Sequence, residues 1–99
     1  MELFIDSVDL EQVRQACALG VISGCTTNPK LAASAEPGDF QQRVRQILTL
    51  VPGPVSVEVL AEEVTAMLSE AVEYSSWDER VVVKIPMSMA GLEVTTKLE

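Results

Sequence analysis

One pattern restricts the fold more than any other: a short apolar run followed by a helical periodicity, four times over. Leu3-Phe4-Ile5-Asp6 is the first run. Asp9 then stands at a helix N-cap position with Gln12 three residues on, and Leu10, Val13 and Cys17 share one helical face before Gly20 offers a stop. Gly24-Cys25-Thr26-Thr27 is the second run, leading into Asn28-Pro29, a cap followed by proline at the first helical position. Pro37-Gly38 breaks that segment, and helical spacing continues from Phe40 through Val44, Ile47, Leu48 and Val51. After the turn Pro52-Gly53-Pro54, Val55 to Val59 alternates as a strand does. Val64, Met67, Leu68, Ala71 and Val72 then mark the apolar stripe of a helix. Val81-Val82-Val83-Lys84-Ile85 is the fourth run, stopped by Pro86, and Ser88 caps a last helix carrying Leu92 and Leu98.

Strands alternating with helices imply right-handed βαβ units and an α/β fold with a parallel four-stranded sheet. Their spacing suits (β/α) barrel units, and four consecutive units are half of a TIM (β/α)8 barrel. An open sheet of flavodoxin-like type reads the same way in this pattern. With 99 residues and no linker or low-complexity segment, residues 1–99 are expected to form a single domain.

Charge narrows the function classes. Fifteen acidic residues against seven basic ones give a net charge of -8, which repels nucleic acid and anionic membrane surfaces. No apolar stretch approaches the ~20 residues of a membrane helix, and the N-terminus lacks the basic start and apolar centre of a signal peptide. The absence of histidine excludes histidine-based mechanisms and the common zinc sites. Cys17 and Cys25 have neither a metal-ligand spacing nor a CxxC arrangement, so they read as core residues of a cytoplasmic protein. No metal and no cofactor are expected.

The chemistry-bearing residues fall at the ends of the strands. Asp6 closes the first, Asn28 follows the second, Glu58 lies on the third and Lys84 on the fourth. Ligands of parallel α/β proteins bind at the carboxyl ends of the strands. Strand parity pairs Phe4 with Asp6, Thr26 with Asn28, Ser56 with Glu58 and Val82 with Lys84 on one face. The other face (Val55, Val57, Val59, Val81, Val83, Ile85) is left for helices to cover. A lysine among valines loses hydration if buried, which favours the free amine, and a free amine attacks carbonyls to form a Schiff base. Glu58 on the neighbouring strand opposes this by holding the lysine charged, and assists only by relaying a proton. The bland alternatives stay open on these grounds alone: Lys84 as a solvated or ion-paired lysine, Asp6 and Asn28 as turn or cap residues, and Glu58 as a surface side chain.

These segments resemble the transaldolase and fructose-6-phosphate aldolase family. The likeness runs through Phe4-Ile5-Asp6, Gly24-Cys25-Thr26-Thr27-Asn28-Pro29, Gly53 to Val59, and Val81-Val82-Val83-Lys84-Ile85-Pro86-Met87, in matching order and spacing. It implies a barrel whose fourth-strand lysine, here Lys84, forms a Schiff base with a ketose phosphate. Asp6 matches the aspartate that takes the hydroxyl proton during carbon–carbon cleavage. Asn28, with Thr27 beside it, matches the substrate-binding element of the second strand. Glu58 matches a glutamate acting through water in proton transfer, typical of transaldolases where the aldolase branch tends to carry glutamine. The implied reaction moves a dihydroxyacetone unit from a ketose phosphate to an aldose phosphate in the pentose phosphate pathway.

The departures are also specific. Family members are longer, and their remaining strands supply an asparagine, a threonine holding the catalytic water, and a serine and arginine for the substrate phosphate. Lys30 stands where serine is frequent, and Cys25 where an aliphatic residue is usual. A four-unit sheet also exposes two edges and one face, from which homo-oligomerisation is expected. A non-catalytic half-barrel binding or assembly module is the alternative function.

Overall fold

The computed structural model describes residues 2–27 and 37–99. Four strands alternate with four helices: β1 (Leu3–Asp6), α1 (Leu10–Ala18), β2 (Ile22–Thr26), α2 (Pro37–Leu50), β3 (Val55–Glu58), α3 (Val64–Ser75), β4 (Val81–Lys84) and α4 (Met89–Leu98). The sheet order is β1-β2-β3-β4, and every neighbouring pair is parallel. A flavodoxin-like sheet would place its first strand between the second and third. Consecutive order is what successive barrel units produce, so the fold is the half-barrel α/β unit. Among the described residues, no helix is long and apolar enough to cross a membrane.

Among the described residues, helices cover one face of the sheet only. Val55, Val57, Val59 and Val81 are buried, packed with Val44 and Ile47 of α2, Met67 of α3 and Val94 of α4. The opposite parity is bare: Phe4 is 43% and Val82 52% exposed. The molecule is 20 Å across its thinnest direction, the depth of one sheet and one helix layer. Strand alternation therefore sets both the core and the open face.

Local signals place three of the helix ends. Asp9 caps α1, its side chain accepting from the amides of Glu11 (2.9 Å) and Gln12 (3.1 Å). Gln12 does not close a direct capping box. Ser7 Oγ stands between, accepting from the Asp9 amide at 3.0 Å and donating to Gln12 Oε1 at 2.8 Å. Gly20 ends α1 at φ 77°, where a side chain would be strained, and its amide donates to the Cys17 carbonyl. Ser88 caps α4 through the Gly91 amide at 3.0 Å.

Two expectations are corrected, both on the helices. Pro37 is the first residue of α2, since proline lacks only an amide proton that the first turn leaves unpaired anyway, and the segment it was expected to break lies outside the described residues. The expected cap at Asn28-Pro29 lies outside the described residues. On α3 the buried stripe is Met67, Ala71 and Tyr74, whereas Val72 is 53% exposed, because it stands about 100° around the helix from Ala71. On α4 the buried positions are Gly91 and Val94, and Leu92 and Leu98 face outward.

Candidate functional site

The strand register decides which of the predicted residues meet. Glu58 and Lys84 are direct partners across β3 and β4. On one row of the sheet, Asp6 pairs with Thr26, Thr26 with Ser56 and Ser56 with Val82. Asp6 and Lys84 thus sit on opposite edges of the described sheet, three strand spacings apart and two residues off one row, about 16 Å along its surface. Glu58 is brought to Lys84, and Asp6 faces both only across the concave side. Asn28 lies outside the described residues.

Lys84 is exposed, which corrects its expected shelter. Its neighbours Val83 and Ile85 are half-buried and Val81 buried, but they point to the helix side, whereas Lys84 shares the open side with Val82. Sequence neighbours on a strand are not spatial neighbours of its side chain. Three ion pairs form among the described residues, and none includes Glu58 or Lys84. The amine and the carboxylate are adjacent in register, and among the described residues neither is taken up by an ion pair.

Thr27, expected to bind substrate, is buried and otherwise engaged. Its hydroxyl donates to the Ser56 carbonyl at 2.8 Å and its amide to the same oxygen at 3.0 Å. It ties the end of β2 to β3 directly before Asn28. A matching bond joins the other pair of strands, the Val59 amide donating to the Lys84 carbonyl at 3.1 Å. Backbone pairing thus persists past the strand ends that carry the polar residues.

An open cleft of about 490 Å³ begins at Glu58, the one member of the pair that lines it. The loop after β3 (Glu58, Leu60, Ala61) forms one wall, and the turn into α4 (Pro86, Ser88, Ala90) forms the other. Sequence reasoning missed this wall and the residue that holds it, Glu70. The carboxylate of Glu70 accepts from the amides of Leu60 and Ala61, and Tyr74 donates to it at 2.9 Å. A glutamate and a tyrosine four apart on a helix were the only available signal. Among the described residues, no group of three or more His, Cys, Asp or Glu could hold a metal ion.

Cys25 lies on the helix side, beneath Ser7. Its thiol donates to the Ser7 carbonyl at 3.3 Å, and burial, reinforced by Asp6 and Cys17, pushes its pKa up to about 11. A raised thiol pKa leaves less thiolate, the reactive form. At about pH 8, iodoacetamide is expected to modify half-buried Cys17 faster than buried Cys25. Peptide mass analysis over a time course reads the two rates, and equal rates would contradict the burial of Cys25.

Comparison with known proteins accords with this geometry. The sequence profile of the Transaldolase/Fructose-6-phosphate aldolase family matches residues 3–99. A probable transaldolase of Desulforudis audaxviator is 52% identical over 99 residues, covering 100% of this chain and 46% of that protein. One from Pelotomaculum thermopropionicum is 47% identical over 93 residues, 94% of this chain and 43% of its own. Another, from Dehalococcoides mccartyi, is 43% identical over 99 residues, 99% of this chain and 46% of its own. The chain therefore spans just under half the length of the curated relatives it matches. Strand order, the polar strand ends and these matches agree: the chain belongs to the transaldolase and fructose-6-phosphate aldolase family.

Proposed function

We propose that this chain carries the Schiff-base side of a class I aldol transfer, with Lys84 as nucleophile. The direct pairing of Glu58 with Lys84 at the carboxyl edge of the sheet is the observation that carries the reading. The neutral amine of Lys84 adds to the ketone of a ketose phosphate, and loss of water gives the iminium. Asp6 takes the proton of the hydroxyl on the carbon beyond the bond that breaks, and the electron pair of that bond passes into the iminium. The aldose phosphate leaves and a dihydroxyacetone enamine stays on Lys84. Addition to a second aldose phosphate and hydrolysis complete the transfer. Glu58 relays protons through water to and from the Lys84 nitrogen, and Asn28 and Thr27 belong to the substrate-binding element. A glutamate rather than a glutamine at position 58 favours transfer between sugar phosphates in carbohydrate metabolism over simple aldol cleavage.

Exposed Lys84 needs cover before its amine loses hydration. Parallel sheets ordinarily bury both faces, and here Phe4 and Val82 are open. The working site accordingly belongs to a state in which the concave face is covered, self-association being our reading of how.

Trapping tests the proposal. Incubation with dihydroxyacetone or fructose 6-phosphate, followed by borohydride reduction, is expected to add one ligand mass per chain. Lys84→Met should lower that yield more than about tenfold, while Lys30 and Lys97 remain as internal controls. No adduct on the unaltered chain, or undiminished adduct in Lys84→Met, would reject the reading.

A further inference from the structure

Between Glu58 and the first turn of α3 the chain has no regular structure to hold it, yet it forms a wall of the cleft. Glu63 occupies the N-cap of α3 and makes no side-chain cap bond. The loop is fastened from further along the helix instead. Glu70 Oε1 accepts from the Ala61 amide at 2.6 Å and from the Leu60 amide at 3.2 Å, with Oε2 at 3.4 Å from the latter. The hydroxyl of Tyr74 donates to Oε2 at 2.9 Å.

The tyrosine is itself fixed. It is 8% exposed, and its ring packs against Trp77 at 4.9 Å and edge-on to Phe40 at 6.1 Å between centroids. Burial, and then the bond to Glu70, raises the phenol above its ordinary pKa, so it stays a donor. On the other side of the loop, the Val59 amide is bonded to the Lys84 carbonyl. A continuous series of contacts thus runs from the aromatic cluster through Tyr74, Glu70 and residues 59–61 to the carbonyl of Lys84.

We infer that Glu70, oriented by Tyr74, is a positioning residue that clamps the backbone leaving β3 and so fixes Glu58 opposite Lys84. This rests on the reading of Glu58 and Lys84 as a working pair. A carboxylate suits the task because it accepts several amides at once, and charge-assisted bonds are the stronger ones. With the clamp gone, two loop amides lose their acceptor, and the backbone leaving Glu58 is held only by the bond from the Val59 amide to the Lys84 carbonyl.

The test compares Glu70→Ala, Glu70→Gln and Tyr74→Phe with Asp9→Ala in the full chain. Asp9→Ala removes the α1 cap and touches no residue of the cleft lining, so it is the control for stability alone. Glu70→Ala is expected to speed amide exchange at Leu60 and Ala61 about tenfold and to slow borohydride trapping of dihydroxyacetone about tenfold. Glu70→Gln, which keeps one carbonyl oxygen for Ala61, should restore both to within about threefold, and Tyr74→Phe should give an intermediate effect. Asp9→Ala should lower the melting midpoint and leave both readouts unchanged well below it. Should Glu70→Ala not fold, Glu70→Gln and Tyr74→Phe carry the comparison. Loss of loop protection with trapping at the normal rate would overturn the inference, as would slowing matched by Asp9→Ala. If the unaltered chain forms no adduct, the Schiff-base reading fails. The clamp is then judged by NMR, where Glu70→Ala must move the Glu58 and Lys84 resonances and Asp9→Ala must not; unmoved resonances reject it.

Discussion

Gly91→Ala is expected to destabilise the chain by about 2–4 kcal/mol, lowering its melting midpoint by at least about 10 °C. Helix propensity alone predicts the reverse, since alanine in a helix is favoured over glycine by roughly 1 kcal/mol. Space decides the sign. Gly91 lies in the first turn of α4, and a β-carbon there would press into the carbonyl oxygen of Pro86, with Pro86 C and Ile85 Cγ2 both at 3.1 Å. Two of those three atoms are backbone, so no rotamer relieves the contact. Relief requires α4 to tilt away from β4, which would also disturb the bond from the Gly91 amide to Ser88 Oγ. Pro86 follows Lys84 by two residues, so the surviving folded fraction should also trap ligand more slowly. Thermal melts followed by circular dichroism give the answer, and a midpoint at or above that of the unaltered chain would show that α4 does not pack as described.

Gly91 also illustrates what a sequence discloses. As one glycine in a helical pattern it looks only weakly unfavourable, and its necessity comes from a carbonyl five residues back. Features confined to a few residues were readable: the Asp9 and Ser88 caps, the Gly20 stop, and strand parity with its buried valines. Features that depend on what lies opposite were not. Val72, Leu92 and Leu98 are as apolar as their buried neighbours, and only the position of the adjoining sheet and helix decides which is covered. Strand order, too, is a long-range property, which left the half-barrel and the open sheet indistinguishable until the pairing was known.

The same distinction applies at the site. The places of Asp6, Glu58 and Lys84 at strand ends were legible because parity is local and because each stands within a segment of the family likeness. The environment of Lys84 was misjudged on a specific ground: hydrophobicity averaged along a strand mixes two faces. Valines flanking the lysine belong to the helix side, so the amine stands in the open. Glu70 escaped notice because it acts on amides about ten residues earlier, and amides carry no sequence signature. The candidate site residues were therefore easier to pick out than the backbone contacts around them.

At the other end of β4 from Lys84, Arg80→Met is expected to cost about 2–3 kcal/mol, because it leaves buried carbonyls without donors. α2 has no basic residue in its last turn, and the carbonyls at its end need partners from elsewhere. Arg80 supplies them from about thirty residues downstream. Its Nη2 donates to the Leu48 carbonyl at 2.6 Å, and Nη1 to those of Val51 at 3.0 Å and Gly53 at 3.3 Å. Asp78 accepts from the Arg80 amide at 2.8 Å and stands 3.7 Å from Nε, steadying the fork. This ion pair is partly exposed and contributes little on its own; the weight rests on the carbonyls. Methionine retains the length and the apolar stem, so its loss isolates the guanidinium. Lysine offers one ammonium to three divergent oxygens, and Arg80→Lys should therefore recover less than half of the deficit. Urea unfolding measures both variants. Because these bonds lie away from the carboxyl edge of the sheet, trapping at Lys84 per folded molecule should stay within about twofold of the unaltered chain. A stability loss under about 0.5 kcal/mol for Arg80→Met would mean that water satisfies the end of α2 as well as the arginine does.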